Sequence, residues 1–74
     1  MIYVTGYTDN DGYHVTTGAF DGYEALAKRH ALEKFPDYVD CGNPFIEEFD
    51  YSGQKKYIHF YLNGVWTYRE VTWK

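Results

Sequence analysis

Lys55-Lys56-Tyr57-Ile58-His59-Phe60-Tyr61-Leu62-Asn63-Gly64-Val65-Trp66-Thr67-Tyr68-Arg69-Glu70 is the stretch on which the fold turns. Two runs rich in aromatic and β-branched residues flank Asn-Gly, the pair that best tolerates the left-handed backbone of a two-residue hairpin turn. Such a turn fixes register, so Leu62 opposes Val65 and every earlier pair follows. One face then carries Ile58, Phe60 and Leu62 with Val65, Thr67, Arg69 and Val71. The other carries Tyr57, His59 and Tyr61 with Trp66, Tyr68 and Glu70.

Toward the N-terminus, Tyr51-Ser52-Gly53-Gln54 separates this hairpin from a strand over Phe45–Tyr51. If that connection preserves register, Phe45, Phe49 and Tyr51 join the aliphatic face, and Ile46, Glu48 and Asp50 join the aromatic one. Ile2–Thr8 and Tyr13–Phe20 read as a further hairpin closed by Asp9-Asn10-Asp11-Gly12. Tyr3, Tyr7 and His14 are expected to extend the aromatic face. Asp21 with Glu24 has the spacing of a capping box, Tyr23–Phe35 holds good helix formers, and Pro36 stops them. Leu26 and Leu32 lie about 120° apart on a helical wheel, so no single apolar stripe stands out. Residues 36–44 read as a loop and Val65–Trp73 as the last strand. The predicted fold class is α+β, a single domain over 1–74 with order β-β-α-β-β-β: a five-stranded antiparallel sheet with one helix packed on one face. The helix is expected on the aliphatic face, leaving the aromatic face wet.

Composition bounds the function. Seventy-four residues make one small core. Nine Tyr, five Phe and two Trp exceed what such a core encloses, so some aromatics must lie at the surface. A net charge of −4 argues against binding a phosphate backbone as the main task. The lone Cys41 allows no internal disulfide, and no leader or apolar run of membrane-spanning length is legible, which points to the cytoplasm.

Motifs for chemistry are sparse. His14, His30 and His59 stand on separate elements without metal-ligand spacing, so neither a metal nor another cofactor is expected. His59 is read as a surface residue facing Glu48 or Glu70. Acidic neighbours Asp37 and Asp40 oppose the thiolate form that a nucleophilic Cys41 would need. Glu47 and Glu48 alternate across the sheet, so they form no catalytic pair. Asp9 and Asp11 lack the remaining positions of a calcium loop. No catalytic residue is assigned.

Asp21-Gly22-Tyr23-Glu24-Ala25-Leu26 with Ala31 and Phe35, after a short hairpin and before a meander ending in Asn63-Gly64-Val65-Trp66, resembles small phage-encoded host-takeover proteins. These include anti-CRISPR proteins and inhibitors of host RNA polymerase. The resemblance implies a non-enzymatic inhibitor acting in the host cytoplasm, which blocks a larger protein or complex by occupying its surface.

The residues themselves point to the same class. Tyr57, His59, Tyr61, Trp66 and Tyr68 are five non-core positions of one hairpin, all aromatic or His, and are expected to form a protein-binding surface. A homodimer through that sheet face is the nearest rival. The bland alternative is that cross-strand aromatic pairs simply stabilise an exposed sheet. A different class of function, stacking single-stranded nucleic acid on Tyr57, Tyr61, Trp66 and Tyr68, lacks a basic channel. Lys28, Arg29 and Lys34 on the helix are secondary binding candidates, read first as a solvated face.

Overall fold

The computed structural model describes residues 1–37, 39 and 42–72. Cys41 and Trp73 lie outside them. Among the described residues, five strands and one helix follow in the expected order: β1 (Ile2–Thr8), β2 (His14–Asp21), α1 (Glu24–Glu33), β3 (Phe45–Phe49), β4 (Lys55–Leu62) and β5 (Val65–Glu70). All pairings are antiparallel, and the spatial order is β2-β1-β3-β4-β5. The N-terminal hairpin therefore docks through β1 onto the C-terminal meander.

The Asn-Gly turn behaves as its chemistry requires. Asn63 and Gly64 have φ of 53° and 80°, and Leu62 pairs with Val65. A bulge between Glu48 and Phe49 lets Phe49 pair with Lys55 and ends β3 before Tyr51. The turn beyond it is organised by Asp50, whose Oδ1 accepts from the Ser52 hydroxyl at 2.6 Å and from the Ser52 and Gln54 amides. The Ser52 hydroxyl, first, and the Gln54 amide hold the Asp50 carboxyl below its ordinary pKa.

The helix starts later than the capping-box reading places it. Asp21 closes β2 opposite Ile2, Gly22 turns the chain at a φ of 78°, and α1 begins at Glu24 with no side-chain cap. Asp21 instead accepts from the Tyr51 hydroxyl at 2.6 Å, a bond that raises the Tyr51 pKa. The helix stops at Glu33, before Pro36 is reached.

The larger correction concerns the face. Helix α1 lies over β1, β2 and β3 on the side that carries the aromatic residues, not on the aliphatic side. Its buried residues are Ala27 and Ala31, one turn apart, which form the core with Tyr3 and Ile46. Small residues let the helix approach closely, and the large inward side chains of the sheet fill the space between. Thr5 beneath the helix is buried too, satisfied by Thr17 Oγ1 at 2.8 Å and the Gly18 carbonyl. His14 departs from its expected face as well: it pairs with Thr8 and meets the Phe45 ring on the uncovered side.

Gly6 sits where the register of β1 against β2 shifts. A Cβ there would stand 2.5 Å from the Val15 carbonyl oxygen and 3.3 Å from the Phe45 ring. Because the nearer neighbour is backbone in a paired strand, Gly6→Ala is expected to destabilise by roughly 1–3 kcal/mol, as overpacking does. Urea unfolding measures it, and an unchanged midpoint would contradict this packing.

Candidate functional site

Two surfaces follow from helix placement. The first is a step between α1 and the part of the sheet that extends beyond it. Because α1 covers only β1 to β3, the inward-facing residues of β4 and β5 line a cleft of about 310 Å3 with Glu24, Lys28 and Glu48. Tyr57, His59 and Tyr68 form its other wall. Tyr57 and Tyr68 meet edge to face at 5.8 Å between ring centres, and Tyr61 packs on Trp66 at 5.3 Å.

Thus the five aromatic and His residues do share one side of the sheet, but that side is not open. His59 is 6% exposed and Glu48 7%, and His59 Nε2 lies 2.9 Å from Glu48 Oε1. The two sit on neighbouring strands as a same-face diagonal, offset by two residues, since Ile46 opposes His59 and Glu48 opposes Tyr57. Trp66 packs against the helix–sheet core, and Tyr68 alone of the five is largely exposed, at 70%. Burial first, then the charges of Glu48 and Glu24, raise the pKa of the neighbouring Tyr3 hydroxyl.

Of the helix candidates, only Lys28 reaches this cleft, with its ammonium 3.4 Å from Glu24 Oε2. Arg29 lines a separate depression of about 480 Å3 with Tyr23 and Leu26 at the start of α1, and Lys34 follows the last helical turn. The structure does not bring the three together as a patch. Glu24 was given only a capping role in the sequence reading. Its place opposite His59 depends on where the helix crosses the sheet, which no local pattern encodes.

The second surface is the sheet face that the helix leaves uncovered. Val4, Phe45, Phe49, Ile58 and Phe60 are only half-buried there, and Leu62 and Val65 are exposed. A groove of about 250 Å3 runs between Phe45, Ile58 and Phe60. Two long cations lie along it: Lys55 ion-pairs with Glu47 and stands 5.8 Å from the Phe49 ring centre, and Arg69 stands 5.7 Å from that of Phe60. Glu47 and Glu48 therefore point to opposite sides, as alternation requires. Sequence reasoning missed this face because it assigned these side chains to the core.

Among the described residues, no helix is long and apolar enough to cross a membrane. No protein-family model matches the chain, no curated protein matches its sequence, and no solved structure matches its fold.

Proposed function

We propose that this domain is a non-enzymatic protein-binding module whose contact surface is the uncovered sheet face, and that it acts on a larger protein by steric occlusion. The observation that carries the reading is the uncovered row of Val4, Phe45, Phe49, Ile58 and Phe60, extended by Leu62 and Val65. A sheet face with this much accessible apolar surface, crossed by Glu47, Lys55 and Arg69, is the pattern of a surface that meets another macromolecule. Occlusion is the mode that the resemblance to phage-encoded inhibitors of defence or transcription complexes suggests. Nucleic acid fits less well: the net charge is −4, and the candidate stacking rings pack on one another, Tyr57 edge to face on Tyr68 and Tyr61 tilted on Trp66.

The test is capture of a partner by the wild-type chain and by the variant carrying Leu62→Glu with Val65→Lys. Loss of capture with folding retained supports the reading; full retention contradicts it.

A further inference from the structure

We propose that Glu24, Glu48 and His59 form a binding site for a divalent transition-metal cation, with zinc as the best-fitting ion. This goes beyond the binding function above and does not rest on it.

Three elements converge here: the first turn of α1 supplies Glu24, β3 supplies Glu48 and β4 supplies His59. One ligand atom from each lies within 4.8 Å of the other two. His59 Nε2 is 2.9 Å from Glu48 Oε1 and 4.0 Å from Glu24 Oε1. Donors about 2.0–2.2 Å from a tetrahedral zinc ion lie roughly 3.3–3.6 Å from one another. To close the set, the exposed arm of Glu24 rotates inward, and the His59–Glu48 hydrogen bond opens slightly as the proton between them leaves.

Charge and donor type agree with such an ion. Two carboxylates and a neutral imidazole offer a formal charge of −2, matching a divalent cation. A nitrogen donor favours zinc and its transition-metal neighbours over magnesium and calcium, which take oxygen ligands. The cleft is open on one side, so water can enter and complete a tetrahedral shell. Lys28 is the competing cation, but it holds Glu24 Oε2 while Oε1 faces His59. It can stay as an outer partner that orients the carboxylate.

Burial bears on two of the same three donors. The described core cluster is only Tyr3, Ala27, Ala31 and Ile46, yet two inward positions beside it hold Glu48 and His59. Apolar residues of similar volume at a buried ionisable pair are often neutral or stabilising. Glu48 and His59 are each other's hydrogen-bond partner, and a bound ion would take the place of that shared bond.

The experiment uses the full chain, stripped with chelator and then titrated with Zn2+ and, separately, Co2+. One equivalent of Co2+ is expected to give the visible absorption of a four- or five-coordinate site. Excess Zn2+ should raise the melting temperature, whereas Mg2+ should not. Glu24 is exposed, so Glu24→Gln should fold with an unchanged metal-free melting temperature and bind Zn2+ at least about tenfold more weakly. His14→Ala and His30→Ala should bind as the wild type does. Absence of saturable Zn2+ binding below millimolar concentration would overturn the site. So would wild-type affinity in Glu24→Gln, or loss of binding in His14→Ala or His30→Ala.

Discussion

Ile46→Ala is expected to be the most damaging truncation in the sheet, lowering stability by about 2–5 kcal/mol. Ile46 is fully buried on β3, with Tyr3, Ala27 and Ala31 in the same cluster. The alanines above it are too short to refill the space, so much of the cavity should persist. Small domains sit at the low end of a stability range of roughly 5–15 kcal/mol, so this loss could unfold much of the population at room temperature. Phe60→Ala is the informative comparison. Phe60 would suffer the larger loss if the helix covered the aliphatic face. Half-buried on the uncovered side, it should cost only about 1–2 kcal/mol, below the 3–5 kcal/mol of an enclosed aromatic. Thermal melts of both variants decide the matter, and a lower melting temperature for Phe60→Ala would place the helix on the opposite face.

The second large effect is on binding. Leu62 is 43% exposed and Val65 59%, and they oppose each other beside the turn. Leu62→Glu with Val65→Lys keeps a complementary cross-strand pair, so the melting temperature should change little. Against an apolar partner surface, however, both charges would have to be desolvated with few hydrogen bonds in return. A cost of about 2 kcal/mol or more is expected, a fall in affinity of roughly thirtyfold or greater. Isothermal titration with the captured partner reads it out. If this variant binds at full strength while Trp66→Ala with Tyr68→Ala does not, the contact lies on the aromatic side.

What the sequence disclosed depended on how local the signal was. Asn63-Gly64 set the register of the last hairpin, and from it the membership of both faces followed residue by residue. Register also offered Glu48 as one of two carboxylates facing His59, and that contact forms, but both residues are buried rather than at the surface. The side chosen by the helix was not. That choice rests on Ala27 and Ala31, whose small side chains add little to an apolar stripe, while the more conspicuous Leu26 and Leu32 are each 38% exposed. Buried Thr5, Glu48 and His59 gave the covered face a polar look that favoured the wrong side. The capping box failed for a tertiary reason: Ile2 pairing extends β2 through Asp21, and Tyr51 engages its carboxylate. The adjacency of β1 and β3 joins segments about forty residues apart and left no mark on either.

The central claim is that a protein partner covers the aliphatic face. Its most direct test is photo-crosslinking in a nuclease-treated bacterial lysate, with benzoylphenylalanine placed singly at Phe60 and at Tyr68. The account predicts a discrete adduct with a larger protein from position 60 and none from position 68. An adduct from position 68 with none from position 60 would contradict it.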